Sequence, residues 1–279
     1  MKLLSSTTDY NETIKITKEL NGNYTKMVTF YSYWNGMLNE KHLYSIKSCY
    51  YFNILKNNNI IKPKIVIWLE NNTKNEYNVM IEKYAEIKYF NLENEKKDTF
   101  LENQHFYYNP ELSFYSDVVR YILLYKYGGC WFDLDILFLR NCEPLFATFE
   151  SEICVYQWEN QPYPNGAIFI SLLPYSEKMK NIIQFIIQRN YGWGFQEAYL
   201  TYDLPLDMLV LPSSWFDQSW IENPYNIRDY HFLKSTDKIY TFDNFFPGAF
   251  CYHWHNRWDH IIEDNSIMKQ LMNIIDNNI

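Results

Sequence analysis

Residues 116–140 read SDVVRYILLYKYGGCWFDLDILFLR, and Asp133 and Asp135 stand inside the apolar run that follows the double glycine. A buried carboxylate without a partner is costly, so the two must be solvated, hydrogen-bonded or neutralised by a cation. Upstream, Ser116 suits a helix N-cap, the residues after it support about three helical turns, and Gly128–Gly129 provide a C-cap. CWFDLDILFL then reads as a buried strand interrupted by the aspartates. In an extended segment alternate residues face one side, so both carboxylates can converge on one hard cation. Mg2+ or Mn2+ held in this way keeps coordination positions open, commonly for phosphate oxygens. An isolated D-x-D is more often a solvated strand end. Here Asp117 and Arg120 share a helix face just upstream, although by themselves they would be an ordinary surface pair.

Working outward, KMVTFYSYW (26–34), KIVIWLE (64–70) and EIKYFN (86–91) have strand character, and NEKHLYSIKSCYYFNILKNN between the first two reads as helix. This rhythm points to a parallel sheet with helices outside it. NLENEKKDTFLENQ (91–104) reads as a surface loop or short helix. Farther on, EICVYQW (152–158), GAIFISLL (166–173) and MLVLP (208–212) are expected strands, and SEKMKNIIQFIIQRN (176–190) an expected helix. The C-terminal end combines AFCYHWHNRW with an expected helix in DHIIEDNSIMKQLMNIIDN. No repeat and no Gly/Ser/Pro-rich linker divides the chain, so one mixed α/β domain is expected.

Apolar residues make up 47% of 279, enough for a sizeable core, so wholesale disorder is disfavoured. With 25 basic against 33 acidic residues and no basic run, a nucleic-acid partner is not expected. A phosphate-bearing small molecule stays compatible if a metal or a few basic groups serve it. Five cysteines without CxxC spacing argue against a zinc ribbon or a disulfide framework. The N-terminal MKLLSSTTDYNETIK lacks the apolar stretch of a signal peptide, and no run reaches membrane-spanning length; a soluble, cytoplasmic protein is expected. The 26 tyrosines and 9 tryptophans are read mainly as core and coding bias, although aromatics also stack on sugars and bases.

Segment 116–135 resembles the DXD sugar-binding region of GT-A glycosyltransferases. The likeness is to the family of yeast-type initiating mannosyltransferases and α1,4-galactosyltransferases, and to the glucosylating domains of large clostridial toxins. Ser116, Asp117, Arg120, Gly128, Gly129, Trp131, Asp133 and Asp135 match that family's SD-x-x-R helix, GG turn and aromatic-x-D-x-D strand. The resemblance implies an α/β fold: a single GT-A (Rossmann-like) domain over 1–279, with a mostly parallel central sheet flanked by helices. Its nucleotide-sugar half would span roughly 20–140. The acceptor half and the metal-completing C-terminal segment would span roughly 141–279.

FYSYWNG (30–36) resembles the family's first strand, which places Trp34 on the nucleotide base with Tyr33 beside it; on the residues alone Trp34 is equally a core side chain. NGAIFIS (165–171) resembles a segment whose asparagine lies near the transferred sugar, here Asn165, which is equally a turn residue. YHWHNRW (252–258) resembles the late metal-binding segment. It implies that His253 completes a metal sphere with Asp133 and Asp135, that Asn256 lies close by, and that Trp258 donates its indole N–H to phosphate; His255 stays open as the alternative ligand. Two departures stand out. Arg257 occupies a position where the family often has serine, and GWGFQEAYLTYDLP (192–205) replaces a G-P-x-x-L-T segment on the acceptor side.

The implied activity is a metal-dependent, retaining glycosyl transfer from a UDP- or GDP-sugar, UDP favoured, to a glycan or protein acceptor, with Mn2+ or Mg2+. Asp133, Asp117, Arg120 and Asn165 are the candidate catalytic residues. Trp34, Tyr33, Asp117, Arg120, Trp131, Asp133, Asn256 and Trp258 are the candidate donor-binding residues. A haloacid-dehalogenase-type phosphatase would use Asp133 as nucleophile and Asp135 as acid, but its motif opens the fold and continues with Thr or Gly, where Ile136 stands here. A non-catalytic carbohydrate-binding protein has no need of Asp117, Arg120, Asp133 and Asp135 together. A glycoside hydrolase needs carboxylates on either side of the scissile bond, which same-side neighbours do not provide.

Overall fold

The computed structural model describes residues 2–3, 9–20, 22, 24–54, 62–105, 115–158, 161–189 and 207–279. Apolar alternation in the strands sets the layers. In β2 (Thr29–Trp34), Phe30 enters one core while Tyr31 and Tyr33 enter another; in β5 (Gly129–Phe132), Cys130 and Phe132 join the first and Trp131 the second. A sheet apolar on both faces must be covered on both. On the Phe30 side lie α2 (Glu40–Phe52), α3 (Glu76–Ile81) and α6 (Glu143–Thr148). On the other side lie α5 (Tyr115–Tyr127) and α7 (Glu177–Arg189). Among the described residues, α1 (Tyr10–Glu19) and α4 (Leu92–Lys96) also precede α5.

Among the described residues the main sheet has eight strands in the order β1-β9-β7-β8-β5-β2-β3-β4. The remaining members are β1 (Lys2–Leu3), β3 (Lys64–Leu69), β4 (Glu86–Tyr89), β7 (Ile153–Gln157), β8 (Asn165–Ser171) and β9 (Leu209–Pro212). All neighbours run parallel except that β8 is antiparallel to both β5 and β7, so the sheet is mostly parallel and flanked by helices. A second, two-stranded sheet pairs β6 (Ile136–Phe138) antiparallel with β10 (Cys251–His253). It rests on a third core shared with α8 (Asp229–Phe232) and α9 (Ile267–Asp276).

The decisive stretch departs from its sequence reading in two ways. Ser116 lies inside α5, because the buried Tyr115, packed on Tyr33, carries the helix beyond it. CWFDLDILFL is two strands in two different sheets, with Asp133–Asp135 in the turn that joins them. The glycine cap is as expected. Gly128 takes φ +63° with its N–H on the Leu124 carbonyl, and a Cβ there would sit 2.4 Å from the Leu172 carbonyl oxygen. The expected C-terminal helix starts only at Ile267, where Ser266 caps it by accepting from the Lys269 N–H. Residues 192–205 lie outside the described residues. All five cysteines are buried and free. Among the described residues, no helix is long and apolar enough to cross a membrane.

Candidate active site

The site forms where the chain leaves the large sheet for the small one. The Asp133 N–H still bonds the Ala167 carbonyl of β8, at 2.8 Å, and the Ile136 N–H closes the turn on the Asp133 carbonyl at 3.1 Å. A turn is not a strand, so the alternation that would aim both carboxylates at one point does not operate. Each aspartate has its own surroundings.

Asp133 faces α5. Its Oδ1 accepts from Arg120 Nη2 at 2.9 Å and from the Trp131 indole at 2.6 Å. Arg120 Nη1 lies 3.0 Å from Asp117 Oδ1, and its guanidinium stacks 5.1 Å from the centre of the Trp131 ring. Burial opposes the Arg120 charge, but Asp133 and Asp117 outweigh it and hold its pKa above the ordinary value. Thus Asp117, Arg120, Trp131 and Asp133 form one clamp.

Asp135 turns the other way, into the small sheet, where it is 3% exposed. The register of β10 on β6 sets His253 opposite Ile136, the residue next to Asp135. His253 Nε2 lies 3.1 Å from Asp135 Oδ2, which also accepts the Asn256 N–H at 2.8 Å. Burial would raise the pKa of Asp135; His253 and the Asn256 N–H instead keep it below the usual carboxylate value.

Behind His253 stands Asp217, a buried carboxylate absent from the candidate set drawn from the sequence. Its Oδ2 lies 3.2 Å from His253 Nδ1 and 2.8 Å from His255 Nε2, and accepts from Trp158 Nε1 at 2.9 Å and the Tyr156 hydroxyl at 3.2 Å. Burial is overcome by the two histidines, and the Asp217 pKa falls to about 2. His255 Nδ1 in turn lies 3.2 Å from Asp229 Oδ1. Asp135, His253, Asp217, His255 and Asp229 therefore form a continuous alternation of carboxylate and imidazole. The signal for Asp217 was present in SSWFDQSW: an acid directly after Trp215 and Phe216, the same anomaly that drew attention to Asp133 and Asp135.

An aromatic wall closes the third side. Trp34, at the end of β2, is 4.7 Å from Trp258, which stacks at 4.3 Å on the buried His42 of α2. His42 Nδ1 accepts the Asn39 N–H, burial pulls its pKa down to about 3, and the imidazole is therefore neutral. Trp258 donates to Asn256 Oδ1 at 2.9 Å. Lys41 fastens this loop by donating to the carbonyls of Arg257, Trp258 and His260. Tyr33, one residue before Trp34, necessarily points to the opposite face of the sheet, where its hydroxyl donates to Glu70 at 2.8 Å; the fold does not bring it to the wall. Asn165 begins β8 beside Tyr156 and accepts the Ala167 N–H at 2.7 Å, a turn-type contact on the strand that borders Asp133.

A carboxylate oxygen of Asp135 and an imidazole nitrogen of His253 are donors that suit a hard to borderline divalent cation, while the partly exposed Asp133 stands two residues away and is held by Arg120. One atom each from Asp217, His253 and His255 also lie within 4.8 Å of one another, close enough to share an ion.

Residues 58–152 match a family model described as the glycosyltransferase sugar-binding region containing DXD motif. No curated protein matches the chain. Among solved structures, mouse xyloside xylosyltransferase 1 superposes with a TM-score of 0.51 at 11% identity, over 85% of this chain and 100% of that one. The PaToxG glycosyltransferase gives 0.42 at 12% identity, over 64% of this chain and 67% of that one. GlyE of Streptococcus pneumoniae gives 0.45 at 9% identity over 69% of this chain, which spans 47% of GlyE's length. Residues 58–152 thus carry a glycosyltransferase DXD sugar-binding region, and the xylosyltransferase likeness shows the GT-A fold.

Proposed function

We propose that the enzyme transfers a sugar from a nucleoside-diphosphate donor, UDP ahead of GDP, to a hydroxyl of a glycan or protein acceptor with retention of configuration. The observation that carries the reading is the junction itself. A buried aspartate paired with an imidazole and a partly exposed aspartate held by an arginine stand two residues apart just past the carboxyl end of β5, an interior strand of a mostly parallel sheet, and ligands of such sheets bind at the carboxyl ends of strands.

Asp135, His253 and Asp133 would hold Mn2+ or Mg2+, which when bound supplies positive charge to the diphosphate leaving group. Arg120, fixed between Asp117 and Asp133 and backed by Trp131, orients the sugar hydroxyls, and that pre-organisation lowers the barrier to transfer. Trp34 and Trp258, tilted 52° to each other, would supply the apolar wall for the base, and the hydrogen-bonded Asn256 and Trp258 indole would lie toward the phosphates. Asn165 borders the transferred sugar from β8. On this reading residues 20–140 carry the donor, and 141–279 add the acceptor side and the metal-completing His253.

The test is calorimetry with UDP, GDP and their sugars in the presence and absence of Mn2+ or Mg2+, alongside an assay of donor hydrolysis. Metal-dependent binding of a nucleotide sugar is the expected result. Binding of none of them, with or without metal, defeats the proposal.

A further inference from the structure

We propose that an open recess beside α8 binds one pyranose ring of the acceptor, stacked on Trp220. The inference rests on the transferase reading above and names where the acceptor is held. The recess has a volume of about 330 Å³ and is lined by Ser219, Trp220, Arg228, Asp229, Tyr230 and Arg257. That volume falls within the ~300–1,000 Å³ of small-ligand sites.

Two large aromatics stand open in its wall, Trp220 at 47% and Tyr230 at 49% exposure. Trp220 is nevertheless fixed. It stacks on Trp158 at 4.8 Å and on His255 at 4.6 Å, with interplanar angles of 21° and 28°. Trp158 and His255 are themselves 6.1 Å apart, too close to lie on opposite sides of the indole. Both therefore back one face, and the other face is a rigid platform whose ordering cost is already met by the fold.

The chemistry around the platform selects a sugar. A pyranose offers an apolar C–H face to an aromatic ring and a rim of hydroxyls to polar side chains, and the recess offers an aromatic face with Asp229, Arg228 and Arg257 around it. A phosphate group is a poorer fit. Arg228 Nη1 is committed to the Ser219 and Ile221 carbonyls at 2.6 and 3.1 Å, Arg257 Nη2 faces Asp229 at 3.3 Å, and the Asp229 carboxylate repels an anion. A nucleobase would gain most from aromatic contact on both of its faces, whereas the platform presents one.

Location ties the recess to the transfer site. Asp229 Oδ1 contacts His255 Nδ1, and from there the chain of contacts runs through Asp217 and His253 to Asp135. The recess is thus linked to the candidate donor site through Asp229, His255, Asp217 and His253, and Arg257 of its lining lies in the chain between Asn256 and Trp258.

The experiment is saturation-transfer NMR on the full chain, with methyl glycosides of glucose, galactose, mannose and N-acetylglucosamine, without metal or nucleotide. UDP and GDP binding with Mn2+ is read separately by calorimetry. At least one glycoside should bind with its C–H face saturated. Trp220→Ala should weaken it at least tenfold, and Trp220→Phe, which keeps a ring, should restore most of the loss. Tyr230→Ala, at an exposed position, carries the same test should Trp220→Ala not fold, with at least a threefold weakening expected. Binding that Trp220→Ala (or, in its place, Tyr230→Ala) leaves unchanged overturns the inference, as does the absence of glycoside binding in a protein that binds nucleotide. Absence of nucleotide binding counts instead against the donor reading, and Trp220-dependent glycoside binding would still support the recess.

Discussion

Asp217→Asn keeps the shape of the side chain at the centre of the carboxylate–imidazole chain and removes its charge. Asp217 is fully buried, and its Oδ2 meets His253, His255, Trp158 and Tyr156 within 3.2 Å. An amide oxygen can still accept about two of these hydrogen bonds, whereas the amide nitrogen accepts none and faces groups that donate. The larger loss is electrostatic. Burial lowers the pKa of both histidines, and His253 lowers that of His255 further, yet Asp135 lifts His253 and Asp217 lifts His255 above the ordinary value, with Asp217 also facing His253, so removing this charge takes from both imidazoles a carboxylate that offsets their burial. Breaking a buried pair from one side costs about 3–5 kcal/mol. At ~2–4 °C per kcal/mol for a chain of this size, the melting temperature should fall by roughly 6–20 °C. Scanning calorimetry at pH 7 against Asp243→Asn, an exposed control expected to change stability by under ~0.5 kcal/mol, reads the difference. A variant that melts with the control refutes the view of Asp217 as the charged centre of the site.

Asp135→Asn, or a chelator added to the unaltered protein, should lower donor turnover at least ~100-fold while the circular dichroism spectrum persists; undiminished turnover removes Asp135 as a cation ligand. Gly128→Ala should cost more than ~1–2 kcal/mol, from the left-handed φ of +63° and a Cβ 2.4 Å from a backbone oxygen, and a urea midpoint equal to that of the parent would contradict it. Glu40 should give the protein acid sensitivity. Burial raises its pKa, but hydrogen bonds from Lys269 and Tyr44 outweigh that and depress it below the ordinary value. A depressed carboxylate stabilises the fold above its unfolded pKa and loses that contribution as pH falls through the folded one. Urea midpoints measured from pH 6 to pH 3 should therefore fall less steeply in Glu40→Gln, and parallel profiles would show that the pairing contributes nothing.

Much of the architecture follows from local pattern. Phe30, Tyr31 and Tyr33 announce a strand buried on both faces, and the Arg120 helix ends where a glycine permits φ +63°. The anomaly of Asp133 and Asp135 marks the site, because charges in an apolar run need partners wherever the chain goes. Asp217 carries the same mark and is harder to notice, since no second acid stands beside it. His42 carries none: a single histidine in a helix reads as any surface residue until Trp258 is found stacked upon it.

Side-chain period tells which face of a strand a residue takes, but not where one strand stops and which sheet the next one joins. The sequence by itself determined most strands of the large sheet, the helix–glycine–aspartate order and the aromatic richness of the core. Tertiary structure decided that the chain changes sheets between Phe132 and Ile136, which sends Asp133 to Arg120 and Asp135 to His253. It also decided between the two late histidines as neighbours of Asp135. The antiparallel register of β10 on β6 places His253 against the turn, and leaves His255 to Asp217 and Asp229. That register comes from burying Cys251 and Tyr252 in separate cores, a packing choice made between residues more than a hundred positions apart.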